Sequence, residues 1–375
     1  MDALDQMLKK TGGGGFVAFG SSQDANVRYL TQFTSSDPVV YFRRRGEKGT
    51  LIVSQMEARR AAQESSASVM TRAEAGLLDI VREEKDRVKA LAMMITRLID
   101  GEIFVPANFP FLLAKEMEQF RHVRADRGTV ETMRAVKTTS EVGNIETVQQ
   151  ATESAMNKAL DLISGAKIRK DMLYRGAAPL TSEFVRESMQ RVLVGADCHA
   201  METIVSCGEE SAVPHITGSG PLHAHQPIVI DIFPRSERTG YYTDMTRTVC
   251  RGEASPEIRE MYRAVKGAQA HAAERIRPGA TGEEVHQSAV EFFKECGYES
   301  GDRGFIHNLG HGVGLEVHEL PSIGPGGETI RAGNVVTNEP GLYYPGLGGV
   351  RLENIGVVTR DGWRCITAFP ETLEI

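Results

Sequence analysis

At 375 residues the chain is too long for one ordinary hydrophobic core, so two domains are expected. Its 41% hydrophobic and 25% charged residues are those of a soluble globular protein, and a net charge of −7 argues against nucleic acid or an anionic membrane as a general partner. No apolar run approaches the roughly 20 residues that cross a bilayer, and the acidic start Met1-Asp-Ala-Leu-Asp-Gln is unlike the basic lead of a secretory signal.

The first third alternates short apolar runs with helical patterns. Phe16 to Gly20, Val39 to Phe42, Thr50 to Ser54 and Ile103 to Pro106 read as strands. Gln55 to Glu64, Leu77 to Asp100 and Phe111 to Phe120 read as helices. This alternation predicts an α/β domain over residues 1–128. The glycines at 12–15 precede a strand and lack the G-K-[ST] of a phosphate loop, so they read as a turn. The triplet Arg43-Arg44-Arg45 reads as a solvated turn.

The second domain, 129–375, opens with a long helix that Ser140 would cap and that runs to about Ser164. Its apolar face carries Ile145, Val148, Ala151, Ala155, Ala159 and Leu162. A further helix follows Thr181-Ser182. Strands dominate from Met201 to Thr248, then come helices over about Pro256–Ile276 and Glu283–Cys296, then strands again. Five widely spaced cysteines with no C-x-x-C pair point to reduced thiols in a cytoplasmic protein. Of these, Cys250 and Cys296 read as packing residues.

Two stretches of this domain each set two acids across a hairpin. Asp231 ends the apolar run Ile228-Val-Ile, and Asp244 follows 13 residues later beyond a turn at Glu237 to Gly240. Glu339 ends Val335-Val-Thr-Asn, and Glu353 follows 14 residues later. Taken singly, each reads as a turn cap or an ion-pair partner, with Arg351 at hand. Taken together, four carboxylates in one β-rich core repel one another unless cations neutralise them, and one arginine cannot balance them. Between the hairpins, His311 lies in Gly310-His-Gly-Val-Gly, where the glycines leave the imidazole unshielded. Four carboxylates and an imidazole suit two divalent cations. His215, His307 and His318 could orient substrate, donate protons or simply pack.

The set Asp231, Asp244, His311, Glu339 and Glu353 resembles that of the pita-bread metallopeptidases, which include methionine aminopeptidase, aminopeptidase P and prolidase. Asp244-Met-Thr-Arg-Thr, Gly310-His-Gly-Val-Gly-Leu-Glu-Val-His-Glu, Asn338-Glu-Pro-Gly-Leu-Tyr and Val350-Arg-Leu-Glu all look like that family's blocks. Asn26-Val-Arg-Tyr-Leu-Thr-Gln-Phe looks like the amino-terminal domain of prolidase, aminopeptidase P and creatinase, which disfavours methionine aminopeptidase. The fold so implied is an α/β N-terminal domain followed by an α+β pita-bread catalytic domain. In one departure, Asp231-Ile-Phe-Pro replaces the family's Asp-x-Gly, and the hairpin is two residues longer than usual.

The resemblance implies that the five residues hold two divalent metals, with Mn(II) or Co(II) favoured over Zn(II) or Fe(II), and that a metal-bridging hydroxide hydrolyses an Xaa-Pro dipeptide. Glu339 would be the general base, His215 and His318 would polarise the substrate carbonyl, and His307 would line the pocket. Phe233 would offer the proline ring an apolar wall, and Arg351 would bind the free substrate carboxylate. Aminopeptidase P activity on longer Xaa-Pro peptides, ectoine hydrolysis and a non-catalytic binding role remain as alternatives. By the same analogy the chain is expected to form a homodimer.

Overall fold

The run Gly15–Gly20 begins as a strand because its apolar residues are wanted on both faces: Val17 packs into one layer of helices and Phe16 and Ala18 into the other. The computed structural model describes residues 2–375 and divides into two units, one ending at Arg134 and the other starting at Ala135.

In the first unit, strands β1 (Gly15–Gly20), β2 (Val39–Arg44), β3 (Thr50–Val53), β4 (Ser68–Thr71), β5 (Ile103–Val105) and β6 (Val123–Ala125) form one sheet in the order β4-β3-β2-β1-β5-β6. The stretch read as one helix over 77–100 is two, Leu77–Glu83 and Arg87–Leu98. Asp86 interrupts it by accepting from the backbone N–H groups of Val88 and Lys89, which caps a new helix. Gly13 and Gly14 serve packing: a Cβ on Gly14 would lie 1.7 Å from the Asp100 carbonyl oxygen. The helix Thr129–Ala135, which a boundary at 128 gives to the second domain, buries Val130 in the first unit's core and bonds Asn26 through Glu131 and Arg134.

The second unit begins its long helix at Thr139, two residues earlier than a Ser140 cap would allow. Thr138 is the cap, because Glu141 three residues on completes a reciprocal capping box that Ser140 could not make. There follow β7 (Lys167–Arg169), β8 (Met172–Arg175), β9 (Ala178–Pro179), β10 (Cys198–His199), β11 (Ile204–Cys207), β12 (Ile228–Ile232), β13 (Arg235–Ser236) and β14 (Met245–Val249). After helices Pro256–Ala273 and Gly282–Glu295 come β15 (Gly310–Gly312), β16 (Glu319–Ile323), β17 (Val335–Asn338), β18 (Gly341–Tyr344), β19 (Gly348–Arg351), β20 (Asn354–Val358) and β21 (Trp363–Cys365).

Two sheets carry the rest of the argument. One has the order β11-β12-β14, and the other β16-β15-β17-β20-β21, with β18 and β19 pairing as a hairpin between β17 and β20. Ile228, Ile230, Ile232, Met245 and Val249 enter a core shared with helices Thr139–Ser164 and Ser182–Gly195. Each such side chain contributes about 1.5–3 kcal/mol when buried. A one-residue slip of β12 would expose them and turn Asp231 into the apolar layer, so the hydrophobic pattern fixes which face the acids take. Arg247, in the middle of β14, is buried and bonds only oxygens that do not titrate. It donates to the carbonyls of Thr246, Glu353, Phe369 and Pro370 and to Asn354 Oδ1. The five cysteines are free thiols; Cys250 is packed in a core, whereas Cys296 is exposed.

Candidate metal centre

The hairpins deliver the acids in two different ways. Asn338 pairs with Asn354 and Gly341 with Arg351, so one uninterrupted register sets Glu339 and Glu353 opposite each other. On the other hairpin Asp231 faces Thr246, and Asp244 sits two residues along the partner strand, on the same face. The strands are tied across: Thr248 and Arg351 exchange hydrogen bonds, Glu353 N–H donates to the Thr246 carbonyl, and Thr246 Oγ1 donates to Glu353 Oε2 at 2.8 Å. The folding pattern thus brings both acidic hairpins to one place.

His311 reaches the same place from β15. A Cβ on Gly310 would meet the Thr337 carbonyl oxygen at 2.3 Å, and one on Gly312 the Leu320 carbonyl oxygen at 2.2 Å. Only glycine lets the neighbouring backbones press against His311 on both sides. Its Nδ1 lies 3.1 Å from the Gly312 carbonyl, an acceptor only, so Nδ1 carries the hydrogen and Nε2 is aimed inward. Nε2 is 3.1 Å from Glu339 Oε1 and 3.8 Å from Asp244 Oδ2. Asp244, His311 and Glu353 offer ligand atoms that all lie within 4.8 Å of one another.

The electrostatics are those of a site built for a cation. Burial, then the charges of Glu353, Asp231 and Glu339, push the Asp244 carboxyl well above the ordinary range. Burial, then Glu339 and Asp231, do the same to Glu353. Burial works against the charge on Glu339, but its bond to His311 wins and holds it at about 2. His311 is correspondingly raised, against its own burial, by that bond and the Glu339 charge. One buried oxygen on each of Asp231, Asp244 and Glu353 finds no hydrogen-bond donor among the described residues. Buried carboxylate oxygens left in this way are costly, and an oxygen-rich donor set with one imidazole is what a divalent transition metal takes. The residues fit the group.

Arg351 occupies a different place from the one its sequence suggests. Its side chain is 4% exposed, and its guanidinium donates to Asp231 Oδ2 at 2.6 Å, Thr246 Oγ1 at 3.1 Å and the Tyr343 hydroxyl at 2.8 Å. An arginine so committed supports Asp231 from behind and does not reach out to a substrate carboxylate. Tyr343 continues the connection to His307 Nε2 at 3.0 Å, while His307 Nδ1 donates to the Asn308 carbonyl. Burial keeps Tyr343 protonated by raising it to about 12 and keeps His307 neutral by lowering it. Sequence reasoning passed over Tyr343, for the first tyrosine of Gly341-Leu-Tyr-Tyr carries no mark of its own. It equally missed Thr337, which donates to Glu339 Oε1 at 3.1 Å and accepts from the His311 N–H.

His318 is exposed, with its ring edge-on to His311 at 4.2 Å between centroids. Partial burial, then the His311 charge, lower its pKa. His215 is exposed in a turn closed by Ile216 N–H to the Val213 carbonyl, and its charge acts on both His307 and His318. Phe233 is half-buried and lies two residues beyond Asp231.

Residues 143–360 match the model of metallopeptidase family M24, and residues 2–136 match the creatinase/prolidase N-terminal domain. The chain is 32% identical over 326 residues to an Xaa-Pro dipeptidase of Pyrococcus furiosus, covering 86% of this chain and 85% of that one. Among solved structures, the prolidase from Pyrococcus furiosus superposes with a TM-score of 0.82 at 25% identity, over 98% of this chain and all of that one. An X-Pro aminopeptidase from Thermotoga maritima gives 0.80, also at 25% identity, over 98% and 100%. The architecture is an α/β domain of the creatinase/prolidase type joined to an α+β pita-bread domain.

Proposed function

This chain belongs to metallopeptidase family M24, and we propose that within it the protein is an Xaa-Pro dipeptidase that uses two divalent cations. The observation that carries the cation reading is the meeting of Asp231, Asp244, His311, Glu339 and Glu353, with buried oxygens on three of them still unpartnered. Four carboxylates balance two divalent charges, and Mn(II) or Co(II) suits the donors best. When bound, the cations supply Lewis acidity and lower the pKa of water toward neutrality.

The protein's own part is positioning and proton transfer. Glu339 takes the proton of the attacking water and delivers it to the prolyl nitrogen, which carries no hydrogen of its own. In the metal-free protein Glu339 is held too acidic for this by the proton on His311 Nε2. That proton has to leave before Nε2 can act as a ligand, and the chief restraint on Glu339 leaves with it. In this reading His318 and His215 donate to the substrate carbonyl oxygen as charge develops there. Tyr343 and Asn308 fix the tautomer of His307 at the pocket edge. Phe233 offers the proline ring an apolar surface.

One observation favours a second reading. The inward commitment of Arg351 takes away the guanidinium first assigned to a free substrate carboxylate, which leaves room for longer Xaa-Pro peptides. The test is a panel of Xaa-Pro dipeptides, longer Xaa-Pro peptides and ectoine, assayed with chelator and with added Mn(II) or Co(II). Dipeptides cleaved best, and only with metal, is the expected result. Preference for long peptides would make this an aminopeptidase, and action on ectoine alone would overturn the peptidase reading.

Free thiols throughout suit a reducing, cytoplasmic setting, and no described helix is long and apolar enough to cross a membrane. A homodimer is expected: sedimentation at micromolar protein should give a species of about twice the 41.1 kDa chain mass. A single species at the chain mass would count against it.

A further inference from the structure

We propose that Lys137 is a positioning residue for the reaction: through a buried ion pair with Glu319 it sets the place of His318. The proposal rests on the reading above, in which His318 donates to the substrate carbonyl oxygen, and adds a residue to it.

Lys137 stands on the strands that lead to two of the acids. Its N–H donates to the Gly333 carbonyl at 2.8 Å, Val136 bridges to Asn334, and Asn334 Nδ2 donates to the Ala135 carbonyl at 2.8 Å. Gly333 and Asn334 run directly into β17, which ends one residue before Glu339. They also bond Val358, the last residue of β20, which starts one residue after Glu353: Gly333 N–H donates to the Val358 carbonyl, and Val358 N–H donates to the Asn334 carbonyl. The backbone at 137 is thereby fixed to the same pair of strands as Glu339 and Glu353.

The ammonium reaches from there to the connection between β15 and β16. Lys137 Nζ donates to Glu319 Oε1, and the two side chains are only 1% and 4% exposed. Glu319 opens β16 and directly follows His318, whose ring stands edge-on to that of His311. Gly312 pairs with Glu319 but His311 pairs with Ser322, so the ladder is irregular where it meets the connection. Residues 313–318 form a series of bends, and the Glu319 carboxylate presses against them: a Cβ on Gly314 would lie 2.4 Å from Glu319 Oε1. Taking two charges out of water costs most of what their attraction returns, so such a pair adds little to stability. Its worth here is geometric. An acid packed against the bends is held to an ammonium whose backbone is fixed, and the residue before that acid is His318. The pair is a strut that sets His318 relative to Glu339 and Glu353. His311 has supports of its own, with Nδ1 on the Gly312 carbonyl and its N–H on Thr337 Oγ1, so metal binding should not follow His318.

The experiment measures kcat, KM and bound metal for one Xaa-Pro dipeptide with Mn(II). The proteins are wild type, Lys137→Met, the double variant Lys137→Met/Glu319→Gln, His318→Ala, and His318→Ala combined with each of the first two changes. Misplacing a group that acts on the transition state should lower kcat by about 10–100-fold, with KM and metal content near wild type. His318→Ala should lower kcat at least as far. Adding Lys137→Met to it should change kcat no further, since a residue that acts through His318 then has nothing left to place. The double variant removes the acid together with its ammonium, so it carries the same comparison if Lys137→Met alone does not fold. Wild-type kcat in the folded Lys137 variant, or a loss that repeats in full on top of His318→Ala, overturns the proposal while leaving the Xaa-Pro reading intact. Wild-type kcat in His318→Ala overturns the role of His318, and the proposal with it. A wild type that cleaves no Xaa-Pro dipeptide overturns the Xaa-Pro reading and everything that rests on it.

Discussion

Glu339→Gln is expected to lower kcat for an Xaa-Pro dipeptide by about 10²–10⁴-fold, the usual worth of a placed general base, with KM changed little. Glu339 lies opposite Glu353 at the join of two in-register ladders, with Oε1 accepting from Thr337 Oγ1 and 3.1 Å from His311 Nε2. Glutamine keeps the shape and an acceptor oxygen, so packing and the Thr337 bond survive, but it cannot take a proton. A group that acts in the transition state and not in ground-state binding moves kcat and kcat/KM together. The check is steady-state kinetics at saturating Mn(II), with bound metal measured on the same sample. Wild-type kcat at full metal content would assign the proton to another residue.

Asp244→Asn is expected to have opposite effects on the loaded and the stripped protein. Burial, followed by the charges of Glu353, Asp231 and Glu339, raises the Asp244 pKa in the folded state. The folded chain then holds this proton more tightly than the unfolded chain, whose value is near 4. Stability of the stripped protein is therefore full at acid pH and falls as pH rises from about 4 toward the raised folded value. Asparagine removes one of the repelling charges. In chelator at pH 7 the variant should melt higher than wild type, by about 2–4 °C for each kcal/mol of repulsion relieved. With metal the order reverses, because a ligand is lost: affinity should fall by more than the roughly 10–100-fold that loss of an outer-sphere partner costs. Melting curves in chelator and in Mn(II), with a metal titration, separate the two effects. A variant less stable than wild type in chelator, yet unaltered in metal affinity, would refute the account.

The residues that meet at this candidate centre were legible because their cost was legible. Asp231 ends an apolar strand, where an acid needs a reason, and the matching placement of Glu339 repeated the demand. His311 was readable from its glycines, and the structure gives the cause in the backbones that close on both sides of it. Arg351 was misread because sequence shows that a charge is present and not where its fork points. Three acceptors within reach turned it inward. Tyr343 and Thr337 were missed because a hydroxyl that serves a neighbour looks like any strand residue. In the first unit, periodicity carried a helix through 84–86, where the cap at Asp86 divides it.

Arg247 bears on what happens when the centre is empty. Its positive charge is answered by carbonyl dipoles and one amide, none of which gains or loses a proton at any pH at which a protein survives. The hydrogen bonds that anchor the main chain at Thr246 and Glu353 therefore require no particular protonation state of the acids a few ångströms away. A backbone tied down by titrating partners would loosen each time the site emptied. Bonds of this kind need neither a cation nor a change of charge, so they are expected to outlast an ion that departs and to leave a vessel already shaped for the next.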